Sequence, residues 1–450
     1  MPPESSRRIG VIGLRLGLAP GPLAGEDNGA CGYAAQRMPD IDSMRDAGLR
    51  LRPLFSLPTA ARDFPAGIAR PDLERWLLFE LPDGREMGEA LAWLRSLSAV
   101  ETAYALPRAL PASVGAKAVP DFKPQQGYLG PAPEGLDAEY LWDQPGGRGN
   151  GVVIADVEGD WNRNHYDLGR ATRSAINGEP LGGIWYNHGT AVLGELAATR
   201  NNAGVTGIAF RAKVRMFSIG RVGGDGKTYT NVPDAINRAA AALGPGDVIV
   251  LEVQYSGLQH SSAYIPVEYY EADFEAIRSA AERGIAVVEA AGNGSQNLDA
   301  AIYGGRFDRA QRDSLAILVG AGAPPGSYYA DRSRLSFSNF GSRMDVQGWG
   351  SGVTTTGYGH LYRKGGENYY FTNAFNGTSS ATGMLGGAVA CLQGFAREAG
   401  LLLKPRVLRR ILTRTGSPQQ GRTSRAIGPR PDLRRVAKAI LKMAGKRAGS

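Results

Sequence analysis

The chain has 450 residues, 43% of them hydrophobic, and 62 glycines, a composition that suits a loop-rich enzyme of two or more domains and excludes a disordered or fibrous protein. Its formal net charge is +8 at pH 7, but the excess near the C-terminus follows an amphipathic pattern, so we expect a solvated helix face and no nucleic-acid partner. The two cysteines, Cys31 and Cys391, predict neither a disulfide framework nor a metal-ligand cluster, and no apolar run is long enough for a membrane span.

Residues 1–42 show little periodicity, and no role follows from their sequence. Arg7 and Arg8 precede an apolar run and faintly resemble a twin-arginine export signal, but Arg15 interrupts that run. The sequence therefore shows no convincing signal peptide. This favours a cytoplasmic location and leaves secretion as the alternative.

The next region predicts a small α+β domain over residues 43–106. Apolar strands are expected at residues 73–82 and 100–107, with a helix at residues 85–97 between them. Residues 107–124 are rich in proline and alanine, which predicts an exposed linker where proteolysis concentrates.

From residue 125 to about residue 445, apolar strands alternate with helices. The predicted strands cover residues 151–161, 214–220, 247–254, 285–294 and 315–322, and the predicted helices cover residues 187–199, 231–243 and 273–284. This alternation predicts an α/β fold with a doubly wound parallel sheet and helices on both faces. In such a sheet the ligand site lies at the carboxyl ends of the strands.

Four polar residues fall where that edge is expected. We expect Asp156 to end one strand, Asn293 to follow another, and His188 and Ser379 each to open a helix. The first N–H groups of a helix have no partner inside it, so a serine at that position can attack a carbonyl while nearby N–H groups receive the developing negative charge. Acyl transfer needs a nucleophile, a base, a group that orients the base and an oxyanion donor, and these four residues could supply them.

Four segments carry a resemblance to subtilisin-like serine peptidases, the subtilases. They read VIADVEGDWNRNHYDL, NHGTAVLGELAAT, VVEAAGNG and FNGTSSAT, and the similarity extends from about Gln125 to near Leu441. The order Asp156, His188, Ser379 is the subtilisin order of the catalytic triad.

The resemblance implies a serine endopeptidase that acts on polypeptides and carries no cofactor. It implies that Ser379 is the nucleophile, that His188 is the general base, and that Asp156 orients His188. It further implies an oxyanion hole formed by the side chain of Asn293 and the backbone N–H of Ser379. A second reading is a weak or inactive pseudo-peptidase that binds peptides, because Gly383 stands where subtilases usually have proline.

The small domain loosely resembles a subtilase propeptide. The resemblance implies a self-processing proenzyme whose N-terminal domain acts as an intramolecular inhibitor, with cleavage between Pro107 and Gln125. The alternative is a domain that stays attached permanently.

Some residues depart from the family pattern or resemble only part of it. Asp167 and Asn202 resemble part of a calcium site of some subtilases, but the loop is one residue short, so we do not expect calcium there. Glu252 and Glu289 are acids late in apolar strands, and Glu252 stands where subtilases commonly have serine in the strand that lines the substrate.

A buried carboxylate needs a partner or it takes up a proton. One hypothesis is that Glu252 and Glu289, joined by Glu158, form a coupled acid pair beside the cleft. This pair would favour basic substrate side chains or lower the pH optimum. The alternative is that these acids are buried and hydrogen-bonded for structure.

Overall fold

The computed structural model describes residues 9–15, 39–55, 73, 75–82, 84–107, 109–110, 121–169 and 171–448. The arginine pair of the export-signal hypothesis, Cys31 and most of the expected cleavage linker lie outside these residues. None of the helices in the described part of the chain combines the length and apolarity needed to cross a bilayer.

The small N-terminal domain is an antiparallel sheet of four strands in the order β2-β3-β1-β4, with two helices. Its elements are β1 (Ile9–Leu14), α1 (Pro39–Asp46), β2 (Arg50–Pro53), β3 (Trp76–Glu80), α2 (Met87–Ser96) and β4 (Val100–Ala105). The domain therefore includes a strand well before residue 43, where the sequence placed its start. All six residues of β1 are buried. Ile12 and Leu14 belong to the core of the small domain, whereas Ile9 and Val11 pack toward the large domain, so the strand lacks the polar alternation that marks a half-exposed strand.

A two-residue strand, β5 (Ala109–Leu110), follows the small domain and belongs to a three-stranded sheet with β12 and β13 of the large domain. It pairs antiparallel with β12, so that the chain leaving the small domain runs along a strand of the large one.

The large domain is built on a seven-stranded sheet in the order β16-β15-β14-β11-β6-β8-β7, and every pairing in it is parallel. The strands of the large domain are β6 (Val153–Glu158), β7 (Ile176–Asn177), β8 (Lys213–Ser218), β9 (Gly220–Val222), β10 (Thr228–Thr230), β11 (Val248–Leu251), β12 (Gln254–Tyr255), β13 (Ile265–Pro266), β14 (Ala286–Ala290), β15 (Ile317–Gly322), β16 (Val346–Trp349), β17 (Val353–Thr356) and β18 (Phe371–Phe375). Its helices are α3 (Ala138–Trp142), α4 (Ile184–Ala197), α5 (Val232–Ala241), α6 (Glu271–Glu282), α7 (Thr378–Glu398), α8 (Pro405–Thr415) and α9 (Leu433–Ala448). The predicted doubly wound α/β fold is confirmed.

The sheet separates two apolar cores because successive side chains of a strand point to opposite faces. Ile154, Val250 and Val288 face α4 and α7, and we call this face the α7 side. Their neighbours Leu251 and Val287 face α5 and α6, which we call the α6 side. This alternation determines which acidic side chains of the sheet can contact one another.

Helix α7 runs through the middle of the core on the α7 side, and its residues from Thr378 to Ala396 are all buried. Its glycines allow this close approach. A Cβ atom added at Gly386 would lie 2.4 Å from Cγ2 of Val250 in the sheet. Small residues thus bring the start of the helix down to the carboxyl edge of the strands.

The small domain docks on the α6 side of the large one. Its buried Arg75 places Nη2 2.7 Å from Oε1 of Glu275 on α6, and Nε1 of Trp76 donates to Oε2 of the same carboxylate at 2.6 Å. The side chain of Asn231, at the start of α5, donates to the carbonyl of Leu54 at 3.0 Å. The interface therefore contains an ion pair and hydrogen bonds in addition to the apolar packing of Ile9 and Val11.

Candidate active site

Two of the predicted catalytic residues stand near the starts of two packed helices. Ser379 is the second residue of α7, and His188 lies in the second turn of α4; both are fully buried. The imidazole is held between two aromatic rings, with centroid distances of 5.6 Å to Phe375 and 6.2 Å to Trp185. The side chain of His188 is thereby fixed in orientation at the edge of the sheet.

The acid beside His188 is Glu158 and not Asp156. Oε1 of Glu158 lies 2.5 Å from Nδ1 of His188, whereas Oδ2 of Asp156 accepts a hydrogen bond from Nε1 of Trp161 at 2.7 Å. The prediction that Asp156 orients His188 is therefore corrected.

The physical reason is the position of each acid along β6. The two acids are two residues apart, so both point to the α7 side, but Glu158 is the last residue of the strand and lies about 7 Å closer to the carboxyl edge. A signal for this was present in the sequence. The rule that sites lie at strand ends favours the last acid of the strand over the one before it.

Burial disfavours the charged form of each member of this pair. It raises the pKa of Glu158 well above its usual value, with further increases from Asp156, Glu252 and Asp160, and it lowers the pKa of His188 to about 3. The short contact acts in the opposite direction, because a carboxylate and an imidazolium stabilise each other. The hydrogen bond between Oε1 and Nδ1 therefore holds one proton between these two atoms.

Asn293 is hydrogen-bonded to the start of α7. Its Oδ1 accepts from the backbone N–H of Thr378 at 2.8 Å and from the Thr378 hydroxyl at 3.0 Å. Its own backbone N–H donates to Oε1 of Gln254 on β12 at 2.8 Å. The oxygen end of this amide is thus held by the residue before Ser379.

Glu252 directly follows β11 and lies on the α7 side. Burial raises its pKa well above the usual value; Asp156 raises it further, and the Ser379 hydroxyl opposes the rise. Neither Glu252 oxygen nor the Ser379 Oγ has a hydrogen-bond partner within the described residues. Sequence reasoning singled out this residue but paired it with the wrong partner.

Glu289 lies on the other face of the sheet. It stands beside Leu251 in the pairing of β14 with β11, and its Oε1 accepts from the backbone N–H of Glu268 at 3.0 Å. Arg343 and Glu268 are the charged groups that act on its pKa. The predicted Glu252–Glu289 pair does not form, because the pleat sends the two side chains to opposite faces.

A buried acid that the sequence reading missed explains the unusual glycine at 383. Glu195 lies two turns after His188 on α4, and its Oε2 would be only 2.8 Å from a Cβ atom added at Gly383. The glycine makes room for this carboxyl group. The available signal was an acid inside the otherwise small and apolar stretch AVLGELAA.

The residues that resemble a calcium site do not fit one. Oδ2 of Asp167 accepts from the backbone N–H of Val205 at 2.8 Å, and burial raises the pKa of Asp167 to about 8, while Asn202 is exposed. In the part of the chain that the structure describes, no group of three or more His, Cys, Asp or Glu side chains could hold a metal ion.

With this geometry in hand, comparison with known proteins defines the class. Residues 149–429, more than half of the chain, match the model of the subtilase family. The chain therefore belongs to the subtilase family of serine peptidases.

Individual relatives agree with that assignment. The chain is 28% identical over 347 residues to an extracellular protease of Xanthomonas campestris pv. campestris, and the alignment covers 68% of this chain and 53% of that protein. It is 29% identical over 247 residues to subtilisin BL of Lederbergia lenta, covering 54% of this chain and 77% of that protein. The chain thus spans about half the length of the first of these relatives.

A solved structure shows the same fold. Fervidolysin from Fervidobacterium pennivorans, a keratinolytic enzyme related to subtilisin, aligns with a TM-score of 0.59 at 16% identity, covering 96% of this chain and 61% of that one.

Proposed function

We propose that this chain is a serine endopeptidase in which Ser379, His188 and Glu158 form the catalytic triad. The contact that carries the proposal is the 2.5 Å approach of Glu158 Oε1 to His188 Nδ1, in a chain whose Ser379 lies in the first turn of the buried helix packed against α4. A carboxyl at Nδ1 fixes the tautomer of the imidazole and leaves Nε2 to take a proton.

The reaction follows from these roles. His188 Nε2 removes the proton of the Ser379 hydroxyl as Oγ bonds to the substrate carbonyl carbon, and then returns that proton to the leaving amine. Glu158 stabilises the imidazolium that forms in between. In the second half of the reaction, water attacks the acyl carbon, gives its proton to His188 and releases the acyl group from Ser379. The Asn293 amide nitrogen and the Ser379 backbone N–H stabilise the oxyanion, and one such donor contributes about 10²–10³ to kcat in subtilisin.

We propose further that the small domain is an inhibitory propeptide. Strand β5 pairs antiparallel with β12, and Gln254 of β12 holds the backbone N–H of Asn293. This pairing supports the proposal, because the segment leaving the small domain then runs as an added strand next to the residue that holds Asn293. Self-cleavage is expected after Leu110, within residues 111–120, which lie outside the described residues.

A fluorophosphonate probe tests the proposed activity. We expect the processed protein to be labelled and the Ser379→Ala variant to show no labelling. Ser380→Ala is the matched control, because the Ser380 hydroxyl is engaged by the carbonyls of Trp349 and Gly377 and takes no part in the triad. Labelling of Ser380→Ala at the wild-type rate is expected.

The alternative of a peptide-binding pseudo-peptidase predicts no labelling of a folded, processed sample. Gly383 was the feature that favoured that alternative. Its steric relation to Glu195 supplies a different reason for the glycine. The endopeptidase is therefore the function we adopt, with polypeptides as substrates and the N-terminal domain as the internal partner.

A further inference from the structure

The space beneath the triad holds four buried carboxyl groups. They lie between β6, the end of β11, α4 and α7, each is fully buried, and each acts on the pKa of another member or is acted on by one. We call this set the acid cluster, and it consists of Asp156, Glu158, Glu195 and Glu252.

The acid cluster has little positive charge to balance it. From α4 the titratable groups that face it are His188 and Glu195, and from β6 they are Asp156 and Glu158. Asp160, after β6, raises the pKa of Glu158, and Glu195 raises the pKa of the buried Tyr128. The buried stretch of α7 carries no Asp, Glu, Lys or Arg. No lysine or arginine of the described residues contributes to the pKa of these four acids. His188 is therefore the one basic group facing the cluster in the described structure.

The members of the cluster differ in their partners. Asp156 accepts from Trp161, and Glu158 contacts His188, but both oxygens of Glu252 lack a hydrogen-bond partner among the described residues. An ionised carboxylate without a partner at such a site would cost several kcal/mol. Glu252 is therefore a neutral carboxylic acid over the pH range in which the cluster is intact, and a neutral acid can donate a hydrogen bond.

Glu252 directly follows β11, and α7, which carries Ser379 in its first turn, packs against that strand. Ser379 Oγ is likewise buried and without a hydrogen-bond partner within the described residues, and the Ser379 hydroxyl acts on the pKa of Glu252. A neutral carboxylic acid can donate and a hydroxyl oxygen can accept, so each group can supply the partner that the other lacks.

We propose that Glu252 is a further catalytic residue, which as a neutral acid donates a hydrogen bond to Ser379 Oγ and stops catalysis when it ionises. This inference rests on the proposed function of Ser379. With Glu252 as donor, the serine hydroxyl is turned so that its own proton points to His188 Nε2.

The proton balance during attack follows. The Ser379 proton moves to His188 Nε2, the new bond forms between Oγ and the carbonyl carbon, and the carbonyl electron pair moves to the oxygen held by Asn293. The proton of Glu252 stays on Glu252. Once Glu252 is ionised, its negative charge beside Oγ opposes the charge that develops there, and the rate falls. Ionisation of Glu252 therefore sets the pH above which activity falls, and the enzyme is active below that pH.

Glu252→Gln tests this role, because glutamine keeps the shape and a donor but does not titrate. The measurement is kcat/KM for a peptide substrate from pH 4 to pH 10, normalised to the concentration of fluorophosphonate-reactive sites. In the wild type we expect an alkaline decline, and in Glu252→Gln we expect that decline to disappear. The ratio of variant to wild-type kcat/KM should then rise by about tenfold or more between the acid plateau and the alkaline end.

Glu289→Gln is the matched control. It removes a buried acid one strand away on the α6 side, and its pH profile should equal that of the wild type. Glu252→Asp is the second variant, for use if Glu252→Gln fails to fold. It still titrates, so it should keep the alkaline decline at a lower overall rate.

The possible outcomes separate the two proposals. A wild type that is labelled at Ser379 but shows no alkaline decline, or a Glu252→Gln variant whose decline matches the wild type, overturns the role of Glu252 alone. Loss of the decline in Glu252→Asp overturns it as well. A wild type that is neither labelled nor active at any pH overturns the proposed function itself.

Discussion

At the scale of single residues, which acid contacts His188 depends on a difference of two positions along β6, from Asp156 to Glu158. Both acids point to the same side of the sheet, and only the later one reaches the imidazole at the carboxyl edge. In the proposed triad, the longer glutamate side chain replaces the expected aspartate. The consequence is that the two acids should differ sharply in their effect on catalysis.

Glu158→Gln is expected to lower kcat by about 10⁴, because a neutral amide stabilises neither the tautomer nor the imidazolium of His188. Asp156→Asn keeps an acceptor for Trp161 and should lower kcat by less than about tenfold. Both are measured with saturating peptide substrate after active-site titration. Equal losses, or a larger loss for Asp156→Asn, would return the orienting role to Asp156.

At the scale of elements, the packing of α4 on α7 explains a glycine near the start of a long helix. Glycine inside a helix costs about 1 kcal/mol relative to alanine, so its presence at 383 calls for a reason. The Glu195 carboxyl occupies the space that a side chain would fill. Residues 195 and 383 should therefore be coupled energetically.

In the Ser379→Ala background, which prevents self-digestion, Gly383→Ala is expected to reduce the free energy of unfolding by about 1–3 kcal/mol through overpacking. When Glu195→Ala is also present, Gly383→Ala should increase the free energy of unfolding by up to about 1 kcal/mol. The overpacking is then gone, and only the higher helix propensity of alanine remains. Urea unfolding of the four combinations gives both values. An effect of Gly383→Ala that is independent of residue 195 would remove the steric explanation.

The docking of the small domain on α6 is a second property of elements. Glu275→Gln removes the charge that Arg75 meets at 2.7 Å across the interface and leaves the buried Arg75 paired with Glu101 of its own domain. This should weaken docking by about 2 kcal/mol. The linker of the Ser379→Ala protein is cut with an added protease, and gel filtration then reports whether the two domains stay together. Separation is expected for Glu275→Gln but not for Glu282→Gln, whose carboxylate pairs with Arg278 on the same helix. Co-elution of both variants would show that apolar contacts alone hold the interface.

At the scale of the whole molecule, buried acids set the dependence of stability on pH. Burial raises the pKa of Asp156 to about 7 and that of Asp167 to about 8, with hydrogen bonds from Trp161 and Val205 opposing the rise. For an acid whose pKa is higher in the folded state, the unfolded chain releases its proton first as the pH rises. Stability is therefore lost between the unfolded value near 4 and the folded value.

We expect the free energy of unfolding of the Ser379→Ala protein to fall from pH 5 to pH 8, measured by urea unfolding. Asp167→Asn should make this decline shallower by about 1.4 kcal/mol per pH unit at most, since it removes one such group. Asp313 acts in the opposite direction below pH 4. Its contacts with Arg409 lower its pKa to about 2 against the effect of burial, so its contribution to stability is lost as the pH falls. A free energy that rises steadily from pH 5 to pH 8 would contradict the assignment of these acids as neutral.

The sequence by itself determined what depends on neighbours along the chain. Apolar strands between helices specified the parallel sheet, and the turn before Ser379, the HGTAV segment and the glycine turn at Asn293 specified three of the proposed catalytic groups. Each of these features is local, because a helix start or a strand end is encoded within a few residues.

Tertiary structure decided what depends on contacts between distant segments. It brought Glu158 and not Asp156 to His188, and it placed Glu252 and Glu289 on opposite faces of the sheet. It also inserted Ile9–Leu14 into the middle of the small domain's sheet. The physical reason is the same in each case. Strand pairing and the pleat fix which side chains meet, and a shift of one or two residues in register changes the partner while leaving the local sequence pattern unchanged.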